Sequence, residues 1–328
     1  MQSQRGTGKD RQPAPTVGKM VVMRSVPGGR GELAGFLRSR RARLRPEDVG
    51  LVSHGQRRVP GLRREELAQL AGVSPIYYTR LEQGQSANAS ASVIDAIARA
   101  LALSDDERAY LHDLARPRTA KRRRQRPDAA RPGVRQLIAA MRDVPALVLG
   151  RHSQVLAWND LGHLLFAGHY DRTAPDRPAD RPNLTWMLFL DPHTRELHRR
   201  WDEEASRAVA SLRVAAGRFA DDAALTALVG ELIVKSPEFA ACWAKHPVQV
   251  CGAGTKHLHH PVVGELELDY EALHLPEDDG QRLLTYSAAP GSSSEAALSL
   301  LRASAQPSAP PSVLASAPGR GRGKRTQV

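Results

Sequence analysis

The sequence contains only two cysteines in 328 residues, Cys242 and Cys251, so a disulfide-stabilised scaffold is excluded. It also has no apolar run that is long enough to span a bilayer. The first residues, MQSQRGTGKDRQPAP, include no hydrophobic signal segment. We therefore expect a cytoplasmic protein that has no membrane partner.

Signatures of catalysis and metal binding are scarce as well. The patterns HExxH, CxxC and GxSxG do not occur, and no glycine-rich loop is placed to hold a phosphate. Cys242 and His246 are four residues apart, so they could share one face of a helix, and Cys251 and HLHHP (257–261) follow. Zinc sites normally have closer paired spacing on both sides. We therefore predict no catalytic residue, no cofactor and no metal site.

Charge is unevenly distributed along the chain, whose formal net charge is +12. Residues 1–135 carry 27 Lys and Arg against 13 Asp and Glu, whereas residues 136–301 carry 15 against 22. Halves of opposite sign suggest separate partners, and the basic half suits a polyanion such as nucleic acid. Solubility alone is the alternative explanation of the basic excess.

Composition divides the chain into five segments. Apolar periodicity marks two globular regions, one all-α and one that mixes helices with strands, so the predicted fold class is multidomain. The stretch between them and both chain ends are basic and rich in Gly or Pro, which is typical of linkers and disorder. We predict a disordered N-terminus (1–30), a helical domain (31–116), a basic linker (117–133), an α+β domain (134–301) and a disordered basic tail (302–328).

The stretch EELAQLAGVSPIYYTRLEQG (65–84) holds two short helices that are separated by an abrupt break. Apolar residues recur at helical spacing up to Gly72, which permits the positive φ of a turn. Ser74 and Pro75 then suit the N-cap and the first residue of a new helix. Two short helices joined by a tight glycine-containing turn predict a helix-turn-helix. A plain αα-hairpin is the alternative.

The residues around this break resemble a known family. RVPGLRREELAQLAGVSPIYYTRLEQG (58–84) is similar to the DNA-binding domain of the XRE-type (lambda-repressor-like) regulators, and specifically to their MmyB-like branch. Residues 90–115 resemble the family's last two helices, and residues 33–44 resemble its first. Gln85 stands where relatives usually carry a basic residue. The resemblance implies a DNA-binding transcriptional regulator that acts on double-stranded operator DNA as a homodimer.

The exposed face of the second helix is expected to enter the major groove, where base edges carry a distinct pattern of donors and acceptors. Arg80 could offer two donors to a guanine, while Ile76 and Tyr77 could contact a thymine methyl group. Residues near the first helix suit phosphates, which fix position rather than sequence. For a single arginine, a solvated surface charge is the alternative. The predicted DNA-binding residues are Arg63, Arg64, Gln69, Ser74, Pro75, Ile76, Tyr77, Thr79, Arg80 and Gln83.

The second globular region combines strands with helices. GELELDYEALHL (264–275) alternates apolar with mainly acidic residues, which predicts a strand with one buried and one solvated face. RLLTYSAA (282–289) is expected to pair with it in antiparallel fashion, and PALVLGRHSQVLAW (145–158) predicts two more strands. Helical segments lie between these strands. We predict an α+β domain whose antiparallel sheet is covered on one side.

This half also resembles the MmyB-like family, through LGRHSQVLAWN, LFLDP, AVASLRVAAGRFADD, LVGELIVKSPEFAACWAKHPV and HHPVVGELELDYEAL. The resemblance implies a PAS-like domain that binds a small apolar ligand, with a fatty-acid-like molecule as the favoured class. Residues 167–183 depart from the family in length and charge. Each candidate could instead belong to the core. The candidate ligand-binding residues are Leu149, Leu156, Trp158, Phe166, Trp186, Phe189, Trp243 and Tyr270.

Three hypotheses follow from these observations. The leading one is a DNA-binding transcriptional regulator that a small apolar ligand controls through its different affinity for two states. The second keeps the DNA binding and assigns to the C-terminal domain dimerisation alone, without sensing. The third is an enzyme tethered to DNA, which no motif favours.

Overall fold

The computed structural model describes both predicted globular regions. The predicted segment before residue 30, residues 117–128 of the predicted linker and the tail after residue 305 lie outside the described residues. No helix of the described part is both long and apolar enough to cross a membrane. The described residues are 30–51, 59, 61–85, 89–116, 129–276, 278 and 280–305.

Helices form first along the chain, and strands join them in the second half. The helices of the N-terminal domain are α1 (Arg30–Arg43), α2 (Arg64–Leu70), α3 (Pro75–Glu82), α4 (Ala91–Ala100) and α5 (Asp105–Ala115). The helices of the C-terminal domain are α6 (Pro132–Ala140), α7 (Asp160–Ala167), α8 (Leu184–Leu190), α9 (Pro192–Leu197), α10 (Trp201–Arg218), α11 (Ala223–Lys235), α12 (Pro237–Ala244) and α13 (Ser293–Ala305). The strands are β1 (Ala146–Leu149), β2 (Val155–Trp158), β3 (Ala253–His260), β4 (Gly264–His274) and β5 (Arg282–Ser287).

The break between α2 and α3 has the local chemistry that the sequence predicts. Gly72 adopts a φ of 63°, a left-handed conformation that lets the chain turn directly after α2. Ser74 caps α3, because its hydroxyl accepts a hydrogen bond from the backbone N–H of Tyr77 at 3.1 Å. The predicted capping box at the start of α5 also forms. The helix-turn-helix is therefore specified by short-range signals.

One apolar core holds the helices of the N-terminal domain together. Tyr78 and Leu81 of α3 are fully buried in it, so the opposite face of α3 lies outside the core. This arrangement confirms the predicted all-α domain and turns one side of α3 outward. The largest buried members of the core are Phe36, Leu37, Leu62, Leu67, Tyr78, Leu81, Ile94, Ile97, Tyr110 and Leu111.

The sheet of the C-terminal domain is antiparallel, with the strand order β2-β1-β5-β4-β3. The predicted pairing of β4 with β5 is confirmed, and Tyr270 lies opposite Tyr286. Between Leu266 and Tyr270, β4 alternates buried apolar with exposed acidic residues, as the period of two requires. The polar edge strand β3 was not predicted, since its sequence AGTKHLHH lacks a clear alternation.

The sheet is covered on both faces at β1, β2 and β5, so the prediction of a one-sided sheet was wrong. Helices α7 and α13 pack on the face that carries Leu147 and Leu266. Helix α6 packs Ile138 against Val148 and Leu283 on the other face. Sequence reasoning missed α6 because this helix begins at Pro132, inside the predicted linker. Helices α8, α10, α11 and α12 form a separate apolar cluster beside the sheet.

Candidate functional site

The outward face of α3 carries seven of the ten predicted DNA-binding residues, counting the N-cap and the C-cap. Ile76 is 69 % exposed, which leaves its side chain free for contact. Arg80 is exposed and makes no ion pair with any described residue, so its guanidinium is free to donate. The exposed or partly exposed residues of this face are Ser74, Pro75, Ile76, Tyr77, Thr79, Arg80 and Gln83.

The three remaining predicted residues lie at α2 and differ from one another in their partners. Arg63 and Gln69 are exposed. Arg64 is partly exposed, and its Nε lies 3.2 Å from Oε1 of Glu82 in α3. A phosphate contact from Arg64 would therefore compete with this ion pair, whereas Gln69 has no such competitor among the described residues.

Glu82 anchors α3 to the rest of the domain, although the sequence analysis did not single it out. Its buried carboxylate accepts hydrogen bonds from Arg41 of α1, at 3.0 Å from Nε and 2.8 Å from Nη2. Burial opposes ionisation, but the hydrogen bonds and charge of Arg41 outweigh it and hold the pKa of Glu82 below its ordinary value. The sequence signal that could have identified Glu82 is its spacing, because it follows the buried Tyr78 by four residues and so lies on the same face of the helix.

A cavity of about 100 Å³ lies between the sheet and helices α8 and α10. Its apolar walls include Leu149 of β1, Phe166 of α7, Met187 and Leu188 of α8, and Leu284 of β5. These elements are remote in sequence, so no local pattern marks the cavity. Ligand pockets commonly measure roughly 300–1,000 Å³. A ligand with a long chain would therefore have to displace part of the wall.

Arg282 of β5 gives the cavity a half-buried cation. Its Nη1 donates to Oγ of Ser211 at 2.8 Å and its Nη2 to Oγ of Ser153 at 3.2 Å, while its buried Nε has no partner among the described residues. No described carboxylate pairs with it. Burial lowers the pKa of Arg282. A buried cation whose partners are neutral favours the arrival of an anionic group.

The other ionisable groups of the cavity compensate one another. Lys256 pairs with Glu204 of α10, and this attraction keeps the pKa of Glu204 below its ordinary value in spite of burial. Burial lowers the pKa of His198 to about 4, so this imidazole is neutral at pH 7. Burial likewise raises the pKa of Tyr270 to about 12. Arg282 therefore remains as the cation without a charge partner.

Three of the eight predicted ligand-binding residues line this cavity: Leu149, Phe166 and Tyr270. The other five do not. Leu156 packs with α6 on the other face of the sheet. Trp158 donates its indole N–H to the carbonyl oxygen of Arg172. The remaining three pack in the helical cluster beside the sheet: Trp186, Phe189 and Trp243.

A fully buried arginine lies where the two domains meet. Arg213 of α10 is fully buried and pairs with Glu32 of α1, and it also donates to the carbonyl oxygen of Trp243. The hydroxyl of Tyr110 in α5 donates to Oε1 of Glu32 at 3.0 Å. Burial lowers the pKa of Arg213 to about 9. We call this contact between α1, α5, α10 and the residues after α12 the junction.

His246 completes the junction as a neutral acceptor. Its Nδ1 lies 3.0 Å from Nη1 of Arg213, and its carbonyl oxygen accepts from Nη2 of Arg40 at 2.7 Å. Burial and these neighbouring cations lower the pKa of His246 to about 3. A Cβ at Gly35 of α1 would lie 2.7 Å from its ring, and one at Gly217 of α10 would overlap the ring of Tyr110. At these two positions the domains therefore pack with no room for a further methyl group.

One helix connects the cavity to the junction. Glu204 and Ser211 of α10 line the cavity, whereas Arg213 and Gly217 of the same helix contact the N-terminal domain. A displacement of α10 at the cavity would thus reach the junction within about two helical turns.

The residues weighed for metal binding do not converge. Cys251 lines the cavity, whereas Cys242 packs beside the helical cluster and His246 lies in the junction. Both cysteines are free. His260 directs Nε2 to the carbonyl of Leu164 at 3.1 Å. The cysteines and histidines that were weighed as metal ligands from the sequence therefore do not meet at one point in the structure.

Comparison with known proteins matches both domains. Residues 130–301 match a family described as the MmyB-like transcription regulator ligand binding domain, which is more than half of the chain. Residues 32–111 match a family described as a helix-turn-helix domain. A search of curated proteins found no match. Both matched families are binding domains of regulators rather than enzymes.

Proposed function

The chain belongs to the MmyB-like transcription regulators, and we propose that it recognises operator DNA through α3 under the control of a fatty-acid-like ligand. Membership in this family makes the protein a DNA-binding transcription regulator with a ligand-binding domain. One observation carries the proposed ligand control: the half-buried Arg282 has no charge partner among the described residues, and it lies at an apolar cavity that shares α10 with the junction.

DNA recognition is assigned to the outward face of α3. The major groove admits a helix, and a guanidinium can donate two hydrogen bonds to a guanine edge. Arg80 is exposed and unpaired among the described residues, and Ile76 stands beside it as an apolar contact. The ion pair between Glu82 of α3 and Arg41 of α1 fixes the inner face of α3 to the domain, so Arg80 and Ile76 project from a rigid helix.

The DNA proposal is tested with the full-length protein on an operator found by in vitro selection. Arg80→Ala should weaken operator binding by about 1–3 kcal/mol, the cost of one bidentate base contact, while non-specific binding changes less. Arg142→Ala is the matched control, because it removes an exposed arginine from the other domain. Equal losses in both variants, or no loss in either, would exclude the assigned role of Arg80.

The ligand class follows from the cavity's chemistry. Leu149, Met187 and Leu284 offer apolar wall, whereas Arg282 offers donors and a charge that nothing described in the chain neutralises. An acyl chain with a carboxylate head satisfies both parts, since hydrogen bonds to charged groups contribute about 1.5–3 kcal/mol. This complementarity favours a fatty acid over a neutral apolar molecule.

Mass spectrometry of the native protein would identify a co-purifying lipid. Titration of the delipidated protein should then show that tetradecanoic acid binds about tenfold or more tightly than tetradecanol. Arg282→Met should remove this preference while it retains apolar volume. An acid and an alcohol that bind wild-type protein equally would contradict the headgroup assignment.

Ligand control is assigned to α10. Because the cavity is small, an acyl chain that enters it has to move a wall, and α10 is the wall that also carries Arg213 into the junction. Tetradecanoic acid should therefore change the operator affinity of wild-type protein. If the acid binds and the operator affinity stays the same, sensing fails and the alternative remains, in which the C-terminal domain only dimerises.

The homodimer implied by the family resemblance stays a prediction. Regulators of this type place two recognition helices roughly 34 Å apart on successive turns of DNA. Light scattering on the full-length protein with and without operator measures the subunit number directly. A single subunit per operator would contradict it.

A further inference from the structure

Two histidines and an aspartate from separate parts of the chain meet beside the cavity. His169 follows the end of α7, Asp191 caps the start of α9, and His193 lies in the first turn of α9. Nε2 of His169 lies 2.6 Å from Oδ2 of Asp191, and Nδ1 of His193 lies 3.3 Å from Oδ1. The two imidazole rings stack with centroids 4.6 Å apart. This group is separate from the residues assigned to DNA and ligand binding.

We propose that His169, Asp191 and His193 bind a divalent transition-metal ion of the Zn²⁺ type, with solvent completing its coordination. One nitrogen or oxygen from each residue lies within 4.8 Å of the other two. Tetrahedral zinc with bonds of about 2.0–2.2 Å places its ligand atoms about 3.4 Å apart. The His–Asp separations of 2.6 and 3.3 Å lie below that value, so small side-chain rotations would make room for an ion between the three residues.

The surroundings of the three residues suit a metal centre. The side chain of Asp191 is only 8 % exposed and is already oriented by two donors that are not ligands, the backbone N–H of His193 at 3.0 Å and Oγ1 of Thr194 at 3.2 Å. Such outer hydrogen bonds fix ligand orientation in metal sites. The side chain of His193 is 72 % exposed, which gives an ion and its solvent ligand a path. Two imidazoles and one carboxylate favour zinc-like ions over Mg²⁺ or Ca²⁺, which prefer oxygen ligands.

An ion at this position would tie three elements into one wall of the cavity. His169 continues from α7, whose Phe166 lines the cavity, and Asp191 joins α8 to α9, where Leu188 and Thr194 line it. The metal would therefore stiffen the wall of the cavity that α7, α8 and α9 form. Its binding does not depend on whether the ligand is a fatty acid.

The test uses full-length protein that has been treated with a chelator and dialysed against Zn²⁺, with bound zinc measured by elemental mass spectrometry. Wild-type protein should bind one more zinc ion than the variant in which both His169→Ala and His193→Ala are introduced. Each single variant should bind at least tenfold more weakly, since even the loss of an outer partner costs about 10–100-fold. Cobalt in place of zinc should give a visible spectrum that the double variant lacks.

His259→Ala is the matched control, because it removes an exposed histidine from β3 without touching the cluster. This variant should bind zinc as the wild type does, and Zn²⁺ should raise the melting temperature of both. Since His193 is largely exposed, its replacement should leave the circular dichroism spectrum unchanged. Equal zinc stoichiometry and affinity in wild-type protein and the double variant would overturn the proposal, as would a site lost in His259→Ala alone.

Discussion

The junction and the cavity each hold an arginine against α10, fully buried in the junction and half-buried in the cavity, and they satisfy it differently. At the junction, Arg213 meets the carboxylate of Glu32 and two further acceptors. In the cavity, Arg282 meets two serine hydroxyls and no described carboxylate. A buried charge is costly unless a partner compensates it. The charge of Arg213 is thus paired within the chain, although its Nε, like that of Arg282, has no hydrogen-bond partner among the described residues, whereas the cavity leaves a charge that a ligand could neutralise.

The largest effect on the free energy of unfolding is expected when the ion pair of the junction is broken. Glu32→Gln keeps the shape of the side chain and leaves Arg213 buried without its counter-charge. The free energy of unfolding should fall by about 3–5 kcal/mol, the usual cost of removing one partner of a buried pair. Denaturant titration measures it, with the exposed Glu65→Gln as control. A fall below about 1 kcal/mol would mean that the junction is not held by this pair.

A smaller loss is expected when the junction is overpacked. Gly217→Ala places a methyl group into the ring of Tyr110 and should destabilise the protein by about 1–3 kcal/mol. Gly230→Ala in α11 has open space and should stabilise by about 0.5–1 kcal/mol through helix propensity. The melting temperatures of the two variants distinguish the cost of the clash with Tyr110 from the gain in helix propensity. Shifts of the same sign would contradict the close contact between the domains.

Acid should weaken the junction through His246. The unfolded histidine takes up a proton near its ordinary pKa of 6.5, whereas the folded protein resists protonation until about pH 3. Stability should therefore fall as the pH drops from about 6.5 towards 3, by about 1 kcal/mol at pH 5 after allowance for solvent screening. Denaturant titrations at pH 7.5 and 5 measure this change. His246→Gln should show a smaller difference between the two pH values, and an unchanged difference would rule His246 out.

The smallest effect on stability is expected when the arginine of the cavity is replaced. Arg282→Met removes a half-buried cation that has no charge partner among the described residues and replaces it with an apolar chain. The free energy of unfolding should change by less than about 1 kcal/mol, in either direction, because apolar replacements of buried charges are often neutral or stabilising. The same denaturant titration applies. A loss as large as that of Glu32→Gln would show that Arg282 is structural, and the contrast between the two sites would disappear.

The N-terminal domain was predictable because its signals are local. Gly72, Ser74 and Pro75 act on their immediate neighbours, so the turn and the caps follow from the order of residues. Glu82 escaped prediction because its partner Arg41 lies 41 residues away. The assigned DNA contacts remain predictions, since they concern a molecule outside the chain.

The C-terminal domain was predictable only in its type. The alternation in β4 and its pairing with β5 followed from the period of two, and the α+β class is confirmed. The polar strand β3 and the helix α6 carry weaker patterns and were missed. The candidate ligand residues were chosen for size and apolarity, and those properties do not distinguish a cavity wall from a core.

The sequence by itself determined most of the helices and strands, the helix-turn-helix and the family, because caps, turns and apolar periods act over a few residues. Tertiary structure alone decided which apolar side chains border the cavity and which charges are paired. Glu32 and Arg213 are 181 residues apart, and His169 is 22 residues from Asp191, so no local pattern links them. Burial sets the cost of each charge, and burial exists only after distant elements have packed.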